Sequence, residues 1–206
     1  MHSLYFGEGT GRVRLAIETL LNFILILENV KEKITGMVKP TPWIERKFDF
    51  NFHVGLFPTI VERLRGLLPR LNALLENVSE DRLIIKKDGK WSVKEVVGHL
   101  YDLEELWQGR IDDFLDHKET LRAADMSNAK TKEAGHNDKP ISLLLEQLTK
   151  ARQALITRIE NLDEATVVVT ALHPRLQKPM RLIDSVFFTA EHDDHELTKI
   201  RNLIRL

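Results

Sequence analysis

The chain has 206 residues, 43% hydrophobic and 30% charged, enough for one domain with a substantial core and an appendage. Its 30 Lys and Arg against 31 Asp and Glu leave a net charge of −1, without the basic excess that nucleic acid demands, so no nucleic-acid partner is expected. Cysteine is absent, which excludes a disulfide framework, a zinc-thiolate cluster and a cysteine nucleophile, and is consistent with the expected cytoplasmic location.

Residues 20–27, LLNFILIL, are an apolar run far too short to span a membrane, and Glu18 and Glu28 bracket it. Arg12 and Arg14 precede it, but the following ENVKEKITG offers no small-residue cleavage pattern. The run therefore predicts a buried or surface-docked helix and no membrane partner. Lys39-Pro40-Thr41-Pro42 breaks the pattern, because proline removes a donor and pushes its predecessor toward extended backbone. Residues 1–40 are thus expected to be an N-terminal extension, and residues 41–206 the main domain.

Within that domain the dominant period is helical. From Leu56 to Val78, apolar residues including Ile60, Leu64, Leu67, Leu71 and Leu75 recur at three and four, with Pro58 in the first turn and Pro69 predicting a kink. The segment SEDRLIIKKDGK reads as a connection. Ser92 and Glu95 then form a capping-box signature for a second helix, whose stripe is Val93, Val96, Leu100, Leu103 and Trp107. Residues 117–140 are polar and loop-like. Ile141 to Leu162 predicts a third helix. A Val-Val-Val run and HPRLQKP separate it from a last helix over about Leu182 to Ile204. The expectation is an all-α fold: a four-helix bundle with a long crossover connection and an extra N-terminal helix.

Two remote helical segments carry the chemistry. WSVKEVVGHLYDLEELW contains His99, with Glu95 four residues before it and Asp102 three after, so either carboxylate shares its face. FFTAEHDDHELTKI contains His192, with His195 three residues on and Glu196 four residues on. Imidazoles and a carboxylate one turn apart can converge on a metal ion when another helix supplies a third ligand. Helical projection places Asp193 nearest the centre of the apolar stripe, with His192 on its flank beside Phe188 and Glu196. The remaining histidines, His2, His53, His117, His136 and His173, have no partner at suggestive spacing; surface roles are expected, with a place at a pocket rim as the alternative for His136 and His173 in their loops. Trp91, Trp107, Phe187 and Phe188 read as core. Serine-nucleophile, P-loop, dinucleotide-glycine and HEXXH motifs are absent.

Together with KFDFNFHVGLFPTIVERL and ALHPRLQKPMRL, these two segments resemble the DinB-like superfamily of four-helix metal-binding proteins, over about residues 43–206. The resemblance implies a metal held by one histidine of the second helix and a pair four apart on the last. Carried over, the ligands are His99, His192 and Glu196. The last position departs from the family pattern, where histidine is usual. Three outcomes stay open: Glu196 binds as a harder, anionic ligand, His195 takes its place, or metal binding is lost. Zinc or nickel is the expected metal, with manganese and iron as further candidates.

The implied activity is divalent-metal-dependent thiol S-transfer or hydrolysis of a small-molecule substrate, a bound metal lowering the pKa of water or of a low-molecular-weight thiol. Glu95, Asp102 and Asp193 are candidates to orient a ligand or take a proton. The family pattern also implies a homodimer. The alternative is a non-catalytic metal- or small-molecule-binding bundle.

Overall fold

The computed structural model describes residues 19–22 and 38–205. The chain divides into two compact units, Met1–Arg46 and Lys47–Leu206. In the first, residues 19–22 are helical, Trp43–Glu45 is a 3-10 turn, and the Arg46 guanidinium lies 5.3 Å over the Trp43 ring. The rest of the expected N-terminal helix lies outside the described residues.

The second unit begins its bundle with α1 (Phe57–Arg65) and α2 (Leu67–Leu75). These two are one helix with a break at Gly66. Pro69 has no N–H for the Arg65 carbonyl and its ring crowds that oxygen, so the turn loosens one residue later. The Gly66 N–H still reaches the Glu62 carbonyl at 2.9 Å, so the backbone stays hydrogen-bonded across the break. Ile60, Leu64, Leu67 and Leu71 form the continuous buried stripe.

After the short α3 (Glu80–Leu83), the second helix is built the same way from α4 (Val93–Asp102) and α5 (Glu104–Leu115). Its capping box is complete. The Glu95 N–H donates to Ser92 Oγ at 3.2 Å, and the Ser92 N–H donates to Glu95 Oε2 at 2.8 Å. Ser92 Oγ in turn donates to Asn137 Oδ1 at 2.6 Å, and the buried Lys94 ammonium donates to the Lys139 carbonyl at 2.8 Å. The first turn of α4 therefore also anchors the crossover.

That crossover is more ordered than its polar composition predicts. It contains α6 (Ala129–Glu133), entered through a left-handed Asn128, and a 3-10 turn His136–Asp138 entered through Gly135 at φ 61°. Thr131 and His136 are buried against α4. His136 needs Gly98 to lie there: a Cβ at residue 98 would sit 2.2 Å from its ring.

α7 (Ile141–Ile159) places Leu144, Leu148, Leu155 and Ile159 inward, and α8 (Glu164–Val167) is a single turn capped by Asp163. The connector to the last helix is a β-hairpin that the helical pattern did not reveal. β1 (Thr170–His173) pairs antiparallel with β2 (Lys178–Arg181), with Leu172 opposite Pro179. Leu172 faces the other way for its hydrogen bonds. Its N–H reaches the Glu119 carbonyl at 2.8 Å, and its carbonyl takes the Leu121 N–H at 3.0 Å. Pro179, with no N–H to give, fits at that position.

α9 (Leu182–Ile204) follows, and Asp184 accepts the Arg181 N–H at 2.8 Å. It packs against α1, α2, α4 and α5. The core joins Leu67, Leu71, Val96, Leu100, Leu144 and Ile200. The domain is the expected helical bundle with a long crossover. No helix among the described residues is long and apolar enough to cross a membrane.

Candidate metal centre

Two helices, α4 and α9, bring three side chains into one buried group. His99 comes from the last turn of α4, and His192 and Glu196 from successive turns of α9. One ligand atom from each lies within 4.8 Å of the other two, and all three residues are buried. His192 Nε2 is 3.8 Å from Glu196 Oε1, and the two imidazole centroids are 5.4 Å apart. Donors sharing a zinc ion sit about 2.0–2.2 Å from it, and these three residues are a set that could hold a divalent cation.

The state of His99 follows from its neighbours. Asp102 Oδ2 accepts the Thr131 hydroxyl at 2.8 Å, and Thr131 Oγ1 lies 3.2 Å from His99 Nδ1. A hydroxyl has one proton, and it goes to the carboxylate. Thr131 must therefore accept from the Nδ1–H of His99, which leaves the Nε2 lone pair for the centre. Asp102 also takes the Nε2–H of His136 at 2.8 Å. These donors hold its carboxyl below the usual range against the opposing effect of burial.

Burial is the main force on the imidazoles. It pushes His99 down to about 4, helped by the Lys199 ammonium, and drives His192 well below its ordinary value, with His99 and His195 adding to the effect. Both rings are therefore neutral at pH 7, the form that coordinates metal. Burial raises Glu196, while Lys199 opposes it. The Lys199 ammonium lies 3.2 Å from Glu196 Oε2, an ion-pair distance without good hydrogen-bond alignment, and 4.5 Å over the Trp91 ring. Trp91 and Trp107 form aromatic walls, with centroids 4.8 Å from His99 and 5.9 Å from His192.

The other expected site residues fall elsewhere. His195 is half-buried and stands outside the three-residue group. Glu95 is committed to the capping box and to Lys86, whose ammonium is 2.6 Å away. Asp193, fully buried as helical projection predicts, faces Arg152. Arg152 also holds Glu104 at 2.6 Å, forming a carboxylate–guanidinium–carboxylate triad inside the bundle.

Sequence reasoning missed Thr131, His136, Lys199 and Arg152. His136 and His173, expected at the surface, are each only 2% exposed. The crossover and the hairpin fold back over the helices and cover them, which no local periodicity records.

A buried two-histidine, one-glutamate cluster spanning two helices defines this as a helical bundle with a candidate His/Glu metal site. The family model of the DinB superfamily matches residues 63–199, and the chain belongs to that superfamily. Among solved structures it is similar to YfiT from Bacillus subtilis, described as a probable metal-dependent hydrolase with an unusual four-helix bundle topology. The two chains are 20% identical, with a TM-score of 0.69 over 78% of this chain and 93% of YfiT, a likeness of fold. No curated protein matches the chain.

Proposed function

We propose that this protein is a divalent-metal-dependent enzyme that acts on a small molecule, with hydrolysis as the leading reaction. The observation that carries the reading is the convergence of His99, His192 and Glu196 in one buried group. The description of YfiT as a probable metal-dependent hydrolase supports it through the shared fold. In this reading His99 and His192 hold the cation through neutral nitrogens, and Glu196 supplies the compensating negative charge, with zinc or nickel as the preferred ion.

When bound, the cation would supply Lewis acidity toward water, or toward a low-molecular-weight thiol if the reaction is S-transfer. The chain's own groups do the rest. Thr131 and Asp102 fix the His99 ring in one tautomer and orientation. Trp91 and Trp107 limit water around the imidazoles. Lys199 is placed to steady the Glu196 carboxylate at Oε2. In the absence of any cysteine, a thiol must come from a cosubstrate. Pairing of two copies is expected on family grounds, and light scattering tests it.

The functional test has two stages. The purified full-length chain is titrated with zinc, nickel, manganese and ferrous ions and analysed for bound metal. The loaded protein is then assayed on a panel of esters and amides, and on electrophiles with and without a low-molecular-weight thiol. One tightly bound ion and metal-dependent turnover that His192→Ala abolishes are the expected results. Failure to take up any of the four ions overturns the reading. Stoichiometric metal without turnover leaves the binding bundle as the correct description.

A further inference from the structure

Beside the His99–His192–Glu196 group, α5 and the hairpin turn carry three side chains with hydrogen-bond donors that meet no acceptor among the described residues: Arg110, His173 and Arg175. Arg110 is 2% exposed, and its guanidinium lies 5.4 Å over the Trp107 ring. Among the described residues its one hydrogen bond is from Nε to the Arg122 carbonyl at 3.3 Å. The nearby carboxylate is already taken: Asp113 accepts the Arg122 backbone N–H at 2.8 Å, its Nε at 3.0 Å and its Nη2 at 2.9 Å. Gly109 makes this capture possible, because a Cβ there would sit 1.8 Å from Arg122 Nη1. Arg110 is thus a buried cation that Asp113 attracts but, among the described residues, does not hydrogen-bond.

The hairpin supplies the other donors. The Leu176 N–H donates to His173 Nδ1 at 3.2 Å, so the neutral ring carries its proton on Nε2. Among the described residues that buried Nε2–H meets no acceptor, and neither does the buried Nη2 of Arg175. The Arg175 guanidinium lies 5.7 Å over Phe188, whose ring centroid is 5.2 Å from that of His173. The three groups feel one another: after burial, Arg110 and Arg175 are what push His173 down to about 4. Buried donors without acceptors, two of them cationic, are costly unless an anion completes them.

The cluster also borders the candidate metal centre. Trp107 touches Arg110 on one side and stands 5.9 Å from His192 on the other. Phe188 precedes His192 by one helical turn.

We propose that Arg110, His173 and Arg175 form an oxyanion-binding subsite, and that the carboxylate or phosphate it takes belongs to the small molecule processed at the metal centre. The link to the metal rests on the function proposed above; anion binding itself does not. The arginine forks match planar or tetrahedral oxyanions, and the imidazole N–H gives a directional third contact.

The test uses the full-length chain stripped of metal with a chelator. It is titrated separately with inorganic phosphate and with succinate, followed by thermal unfolding and tryptophan fluorescence. Saturable stabilisation is expected, with the tighter of the two anions identifying the ligand as phosphorylated or carboxylic. Arg110→Met should weaken binding at least about tenfold, the scale of a lost charge-assisted hydrogen bond, whereas Arg201→Met at an exposed position should not.

Arg175→Met and His173→Phe carry the same expectation and serve if Arg110→Met does not fold. Metal uptake, measured on the same variants, should keep the wild-type stoichiometry. Absence of saturable binding of either anion to the wild type, or undiminished binding to the folded variants, overturns the subsite. Anion binding by a wild type that takes up no metal supports the subsite and overturns only its link to the metal centre.

Discussion

His99 and Asp102 lie one turn apart on the same helix, yet they communicate through Thr131, a residue of the crossover, with contacts of 3.2 Å and 2.8 Å on its hydroxyl. The hydroxyl turns a surface-like i, i+3 spacing into a buried relay that presents Nε2 of the imidazole. Thr131→Val keeps the shape and removes the relay. Metal affinity should fall about 10–100-fold, as outer partners of ligating histidines typically contribute. Competition with a chromophoric chelator measures this, and unchanged affinity would show that Thr131 does not orient the ligand.

The identity of the third ligand is tested by parallel substitutions. Glu196→Ala should abolish stoichiometric metal binding, while His195→Ala should leave it intact. Glu196→His should retain it with a neutral donor set. The reverse pattern for the two alanine variants would transfer the role to His195. Elemental analysis after dialysis reads the result.

Gly98 is set by the ring of His136. Alanine normally improves a helix interior by about 1 kcal/mol, but here its Cβ would meet the ring at 2.2 Å. Gly98→Ala should destabilise the protein by about 1–3 kcal/mol, the range for overpacking. The cost should shrink in the Gly98→Ala, His136→Ala double variant. Denaturant unfolding of the four-member cycle gives the coupling.

Arg152 stands between Glu104 and Asp193, all three nearly free of solvent contact. Arg152→Met leaves two carboxylates facing each other without their cation. A loss of about 3–5 kcal/mol is expected, read from urea midpoints, since breaking a buried ion pair strands its partners. A loss below 1 kcal/mol would show that the carboxylates neutralise by taking up protons at little cost. Burial already pushes Glu104 up to about 7, with Arg152 opposing.

His173 gives the native state an acid-sensitive contribution. Burial, then Arg110 and Arg175, hold its folded pKa at about 4, below the unfolded value of 6.5. Between these values the unfolded chain binds a proton that the native state does not. Its contribution is therefore present above pH 6.5 and lost as pH falls toward 4. Glu104 acts in the opposite sense, so the informative quantity is the difference between variants. In metal-free protein, the Tm of His173→Phe should fall less than that of the wild type between pH 7 and pH 4.5. Parallel curves would contradict the assignment.

The sequence by itself determined the bundle. The three-and-four spacing from Ile60 to Leu75, the Ser92–Glu95 cap and the Leu182–Ile204 pattern are local signals, since each arises from backbone geometry within a few turns. It also put forward His99, His192 and Glu196, with His195 as the alternative third ligand, because residues three or four apart on α9 share a face and the family resemblance named α4 as the other source. What the tertiary structure decided was everything carried by the crossover and hairpin. Thr131 behind His99, His136 over Gly98 and His173 near Arg110 join residues 32 to 63 positions apart, whose meeting depends on how long connections close over the bundle. The hairpin itself stayed hidden for the same reason: Leu172 satisfies its backbone on Glu119 and Leu121, partners that no local pattern of apolar residues encodes.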